Sequence, residues 1–201
     1  MLTVTKNLPA LWIDSAERWQ RQWVPMVAGS ALGIVGFGDI GRELTSRALA
    51  FGMTVSVLRK STDPLPDGVH RAADLEELLA TCDHVVLAAP ATEQTRHMIN
   101  AETLAKAKPG LHLINVARGS LIDNKALLRA LDAGKVGHAT LDVTDPEPLP
   151  KEHRFYTHPR VRLSPHTAAA SIDMMNKLAK QFVENVKRFS CGEAPNGLAL
   201  D

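Results

Sequence analysis

Gly36, Gly38 and Gly41 stand in the spacing Gly-x-Gly-x-x-Gly immediately behind the apolar run Leu32-Gly33-Ile34-Val35, and a helical pattern follows from Arg42 to Ala50. A strand, a glycine turn and a helix in that order can cradle an anion. Gly36 permits the tight turn, Gly38 lets backbone approach a pyrophosphate, and Gly41 lets the helix pack close against its strand. The new helix aims its unsatisfied N–H groups and the positive end of its dipole at the same point. The stretch is therefore a candidate dinucleotide-binding turn. Glycine turns between strands and helices are common, so the rest of the chain has to carry the reading.

The other residues suited to chemistry fall at comparable places. Short apolar runs at 54–58, 84–89, 111–116, 136–143 and 161–163 read as strands, and helical patterns lie between them at 74–79, 101–107 and 124–133. Asp74 is a candidate N-cap. Pro109-Gly110 stops the second of these helices and Gly134 the third. Residues 167–189 read as a long closing helix. Short strands alternating with helices predict a parallel sheet covered on both faces, an α/β fold of the Rossmann-type, doubly wound kind. Ligands in that fold sit outside the carboxyl ends of the strands. Arg59, Pro90, Arg118, Asp142 and His166 each fall just after a strand, so one edge of the sheet collects them.

The 201 residues are 45% hydrophobic and 22% charged, enough for one well-buried domain with a small appendage. A formal net charge of +1 and the lack of a basic block argue against a nucleic-acid partner. No apolar run is long enough to span a bilayer, and Met1-Leu2-Thr3-Val4-Thr5-Lys6-Asn7 lacks a signal-peptide layout. Cys82 and Cys191 lie far apart, outside any metal-type spacing. A reduced, cytoplasmic protein without a metal site is the expectation.

Four stretches together resemble the D-isomer-specific 2-hydroxyacid dehydrogenase family over nearly the whole chain. They are Gly33-Ile34-Val35-Gly36-Phe37-Gly38-Asp39-Ile40-Gly41, Asn115-Val116-Ala117-Arg118-Gly119, Leu141-Asp142-Val143-Thr144-Asp145-Pro146-Glu147-Pro148-Leu149 and Ser164-Pro165-His166-Thr167-Ala168. Leu87-Ala88-Ala89-Pro90-Ala91-Thr92-Glu93-Gln94-Thr95 is a further match. The resemblance implies hydride transfer between a nicotinamide cofactor and a small 2-keto or 2-hydroxy acid such as glyoxylate or hydroxypyruvate. His166 resembles the family's general acid/base, a role that suits imidazole near neutrality. Glu147 resembles the carboxylate that orients it, and Arg118 the substrate arginine, whose planar fork can clamp a carboxylate. Asp142 matches a position at the nicotinamide end. The resemblance also implies cofactor contacts at Gly36, Gly38, Asp39, Ile40, Gly41, Ala89, Pro90, Thr95, Val116, Ala117, Arg118, His166 and Ala168. Read singly, Arg118 fits a surface turn, Glu147 a solvated loop position and His166 a helix N-terminus. The other seven histidines are expected at the surface or at strand ends. Formate dehydrogenase-like relatives carry glutamine where this chain has Glu147, which disfavours that chemistry.

In NAD-preferring relatives an acid ends the second strand and binds the adenosine ribose. Here the position reads Leu58-Arg59-Lys60-Ser61. Arg59, Lys60 and Ser61 suit a 2′-phosphate, so NADP is the expected cofactor and NAD the alternative. The expected organisation is a helical arm at 1–29, a dinucleotide-binding domain at 30–168 and a C-terminal helix and tail at 169–201. Lys6-Asn7-Leu8-Pro9 resembles the helix that leads back into the family's dinucleotide domain. The family's separate substrate domain is built largely ahead of the fingerprint, and the short lead into Gly33 leads us to expect that segment to be missing. A non-catalytic or truncated dinucleotide-binding module is therefore the alternative to an active reductase. Trp12, Trp19 and Trp23 recur at roughly helical spacing between Leu8 and Ala28. Such a stripe outside the main fold is interface material, which points to a homodimer.

Overall fold

The structure, a computed structural model, describes residues 1–8 and 10–197; Pro9, in the lead-in stretch, and the tail residues 198–201 lie outside the described residues. Seven strands form one sheet: β1 (Ala31–Val35), β2 (Thr54–Leu58), β3 (Val69–Arg71), β4 (His84–Leu87), β5 (Leu111–Asn115), β6 (Val136–Leu141) and β7 (Val161–Leu163). Their order is β3-β2-β1-β4-β5-β6-β7 and every pairing is parallel. The helices are α1 (Leu2–Thr5), α2 (Asp39–Ala50), α3 (Leu75–Thr81), α4 (Ala101–Ala105), α5 (Asn124–Asp132) and α6 (Met174–Ser190).

Successive side chains of a strand point to opposite faces, and two apolar clusters divide accordingly. Leu32, Ile34, Val55, Val57, Val86 and Ile114 pack with Ala48 of α2. Val35, Val85, Leu87 and Leu113 pack with Leu78 of α3, Leu104 of α4 and Leu127 of α5. Coverage of both faces explains why β4 and β5 are buried at every position. The helix starts follow local chemistry. Asp74 accepts from the Glu77 amide at 2.8 Å, and Asp123 from the amides of Lys125 and Ala126. Asn100 and Thr103 close a capping box at α4.

The strand order turns back between β1 and β4, the place where open α/β sheets bind ligands. The doubly wound parallel sheet expected from the sequence is present, and four local expectations need correction. Among the described residues between 8 and 28 the one helical segment is a 3₁₀ turn at Ala16–Arg18. Short helices draw their stability from packing an apolar face, and here Trp12, Trp19 and Trp23 are 66%, 80% and 90% exposed. The closing helix starts at Met174, behind turns at 167–173, rather than at Thr167. β3 was not anticipated, since three residues on a sheet edge leave almost no periodicity to read. His112, inside β5, is a core residue at 2% exposure, whereas His84 stands at the start of β4 and is 7% exposed.

The chain separates into two compact units, Met1–Pro165 and His166–Asp201. The first holds the sheet. In the second, α6 is folded back on by its own following turn: Arg188 Nε donates to Ala194 O at 2.8 Å, and Asn185 and Asn196 exchange two hydrogen bonds. Among the described residues no helix is long and apolar enough to cross a membrane.

Candidate functional site

The glycine turn sits where β1 ends. Gly36 has φ +95°, and a Cβ there would lie 2.7 Å from Ala88 O, the backbone just past β4. At Gly41 a Cβ would lie 2.7 Å from Gly36 O, so the helix start packs directly on the turn. Gly38 differs: its Cβ would meet nothing within 4 Å. Gly38 is also the N-cap of α2 and supplies no side-chain cap. The first N–H groups of α2 thus start beside the exposed Gly38, Asp39 and Ile40, with no side-chain cap from Gly38. These observations fit the pyrophosphate of a dinucleotide.

At the end of β2, the Arg59 guanidinium carbon lies 5.4 Å from the centre of the Phe37 ring, and that of Arg42 lies 5.8 Å from the same ring. Stacking of this kind holds a guanidinium while leaving donors for a ligand. Arg59 also donates to the carbonyls of Asp63 and Pro64, and its buried Nε has no hydrogen-bond partner. Arg71 braces the same loop through Ser61 O and Asp63 O, both at 2.7 Å. The Ser61 hydroxyl donates to the Asp63 carboxylate, and Lys60 is exposed. Asp63 therefore brings an acid to this loop, beyond the strand end where the sequence reading looked for one.

Past β4, Ala89 and Pro90 enter a turn that Thr95 fastens. Its hydroxyl donates to Pro90 O and accepts from the Thr92 amide, both at 2.8 Å. Past β5, the fully buried Asn115 accepts from the Ala117 amide at 3.0 Å and donates to Arg118 O at 2.8 Å. Each such bond is worth about 1 kcal/mol net, and a buried amide left unpaired costs more. Asn115 thereby fixes the bend Val116-Ala117-Arg118. The Arg118 side chain is exposed and donates to Ala117 O at 2.7 Å. A Cβ on Gly119 would lie 1.9 Å from the Thr144 carbonyl carbon. Only glycine lets the Arg118 turn meet the loop after β6.

On that loop the Glu147 carboxylate accepts from the Thr144 amide at 2.8 Å. The buried Asp142 accepts from Ser164 Oγ at 2.5 Å, and its amide donates to Asn115 O at 3.0 Å. The first unit thus gathers the glycine turn, Arg59, Pro90, Arg118, Asp142 and Glu147 on the carboxyl edge of one sheet. His166 opens the second unit, exposed and with φ +53°, and Ala168 follows it there. Asn115, Gly119, Phe37, Arg42 and Arg71 were missed as positioning residues. An asparagine at the end of a largely apolar strand was the available signal for the first. Among the described residues no group of three or more His, Cys, Asp or Glu is placed to hold a metal ion.

Residues 1–168 match the family model described as the D-isomer specific 2-hydroxyacid dehydrogenase NAD binding domain. A glyoxylate reductase of Korarchaeum cryptofilum is 38% identical over 190 residues, covering 90% of this chain and 57% of that protein. Among solved structures, a D-isomer specific 2-hydroxyacid dehydrogenase from Xanthobacter autotrophicus Py2, in complex with NADPH and MES, superposes with a TM-score of 0.84 at 33% identity, over 97% of this chain and 81% of that one. An NADPH-dependent glyoxylate/hydroxypyruvate reductase from Sinorhizobium meliloti, in complex with NADP and sulfate, gives a TM-score of 0.85 at 30% identity, over 97% of this chain and 63% of that one. The chain spans about half the length or less of the first curated relatives it matches.

The two kinds of glycine separate experimentally. Gly119→Ala is expected to lower stability by about 3 kcal/mol or more, because its methyl group meets backbone. Gly38→Ala, with open space and an ordinary φ, is expected to stay within about 1 kcal/mol of the parent. Urea unfolding of both variants is the check, and equal midpoints would contradict the assignment of Gly119 as a contact point.

Proposed function

The chain belongs to the D-isomer-specific 2-hydroxyacid dehydrogenase family, and we propose that it is the cofactor-binding part of an NADP(H)-dependent reductase of small 2-keto acids such as glyoxylate or hydroxypyruvate. The observation that carries this reading is the uncapped Gly36–Gly41 turn, with Arg118 and Glu147 on loops of the same sheet edge. Two relatives whose structures hold NADPH or NADP support the cofactor class.

When bound, the nicotinamide supplies the hydride. The chain's own residues are assigned the rest. The α2 N-terminus and Gly38 hold the pyrophosphate. Arg59, kept in place by Phe37, meets the 2′-phosphate with Lys60 and Ser61. Arg118 clamps the substrate carboxylate bidentately and polarises the neighbouring carbonyl. His166 gives a proton to the carbonyl oxygen, and Glu147 favours the imidazolium that gives it. Asp142, Ala89, Pro90, Thr95, Val116, Ala117 and Ala168 line the cofactor's path. Cys82 and Cys191 are both unpaired, which fits a reducing compartment such as the cytoplasm.

Fluorescence titration and NADPH oxidation with glyoxylate and hydroxypyruvate test the two halves separately. NADPH is expected to bind more tightly than NADH. Arg59→Asp is expected to remove that preference, a change of about one to two decades for the loss of a charge-assisted contact. His166→Ala is expected to lower turnover by about 10²–10⁴ with NADPH affinity nearly unchanged. Equal affinities for the two cofactors in the parent chain would overturn the NADP(H) assignment. Unimpaired turnover in His166→Ala would overturn the proton-transfer role.

The same reading places a homodimer contact on the arm, where Trp12, Trp19 and Trp23 are exposed. Sedimentation velocity at micromolar concentration is expected to show a dimer that Trp19→Ser with Trp23→Ser dissociates. A monomeric parent chain would refute the contact.

A further inference from the structure

Three histidines stand side by side near the amino ends of adjacent strands, on the edge of the sheet away from the glycine turn. His84 opens β4, His112 is second in β5 and His138 third in β6, and they are register partners in turn. The two Nδ1 atoms of His84 and His112 are 3.1 Å apart, and His112 Nε2 lies 2.9 Å from the Thr140 hydroxyl. The rings of His112 and His138 meet edge-on at 6.4 Å. Burial first, and nearby positive charge second, hold all three imidazoles below the ordinary histidine value, His112 down to about 2.

This row lines a cleft of about 700 Å³ whose other wall is the arm, including Thr5 and Trp23. Thr5 Oγ1 is buried there with no hydrogen-bond partner. Asp83 also lines the cleft, but its carboxylate is already engaged by Lys108 Nζ at 2.5 Å and by the Ala31 amide at 2.8 Å. Arg160 and Arg162, outside the cleft lining, add positive charge on the histidine side.

A cationic ligand would sit in the field of Arg160 and Arg162, with the one lining carboxylate, Asp83, already paired to Lys108. A metal ion is disfavoured, because His84 and His112 face each other through Nδ1 and no described group of three ligands is placed to hold one. An oxyanion meets hydroxyl, ammonium and imidazole donors, and supplies the counter-charge that lets a buried imidazole take a proton. We propose that this cleft binds a small doubly charged oxyanion of the phosphate class, held by Lys108, Thr5 and the histidine row, which takes up a proton on binding. The site is separate from the cofactor edge, and shares only Trp23 with the dimer contact proposed for the arm.

Sulfate is the appropriate first probe, since its charge is constant between pH 6 and 8 and any pH dependence belongs to the protein. Isothermal titration at fixed ionic strength, with histidine ring resonances followed by NMR, is expected to show saturable binding that shifts the His84 and His138 signals. One linked proton tightens binding by up to about tenfold per pH unit as the pH falls. His138→Gln and Lys108→Gln, checked for unchanged thermal unfolding, are each expected to weaken it by about tenfold. Inorganic phosphate and a three-carbon phosphate monoester, titrated in turn, distinguish a free ion from a phosphorylated metabolite as the occupant. A response no different from chloride at the same ionic strength, shifts confined to the amides of Gly36–Gly41, or parent-like binding by both variants would overturn the proposal.

Discussion

Backbone passes backbone at two points on the carboxyl edge of the sheet, and the candidate site depends on both. Gly36 runs against Ala88 just past β4, and Gly119 runs against Thr144 just past β6. No side chain fits at either crossing. The first joins the two strands at which the sheet order turns back, and so opens the crevice beside the α2 N-terminus. The second draws the Arg118 turn onto the loop that carries Glu147. Asn115 and Asp142 then lock the arrangement from beneath, since the buried Asn115 fixes the Arg118 bend by its side chain and receives the Asp142 amide through its carbonyl. A cofactor crevice and an arginine–carboxylate pair of loops are thus consequences of close packing before they are chemistry.

The two edges of the sheet are built on different terms. Strands buried on both faces have no solvated side on which to place polar groups, so polar side chains collect where strands begin and end. At the carboxyl edge Arg118 and Glu147 are exposed and Arg59 is half-buried, each oriented by a short local contact: Arg118 through Ala117 O, Glu147 through the Thr144 amide, Arg59 on the Phe37 ring. Near the amino edge, beside the Asp83–Lys108 pair, His84 and His112 bond to each other and His112 to Thr140, with burial lowering their pKa values.

Legibility in the sequence follows the same division. The glycine turn and the strand-end residues could be read because their spacing is local and each strand is short and apolar. The alternation of strands and helices gave the parallel order for the same reason. The arm could not be read: tryptophan spacing resembles a helix, yet a helix forms only where something covers its face, and these rings are exposed. His112 is invisible for the opposite cause, since nothing in Leu111-His112-Leu113 distinguishes a buried imidazole from a strand-end one until β4 and β6 are placed beside it. Gly119 reads as an ordinary turn glycine until Thr144 arrives from a loop 25 positions later. Asp63 escaped notice because the Ser61 hydroxyl reaches it across a turn rather than along a strand.

The central claim is that the carboxyl edge of this sheet binds a dinucleotide between β1 and β4, with its adenosine end at Arg59. An amide ¹H–¹⁵N NMR titration of the chain with NADPH tests it most directly and needs no turnover. The account predicts shifts clustered at Gly36–Gly41, at Arg59–Ser61 and at Ala89, with NADH shifting the first and third groups but leaving Arg59–Ser61 largely unmoved. Shifts concentrated at His84, His112 and His138, or none at saturating NADPH, would contradict it.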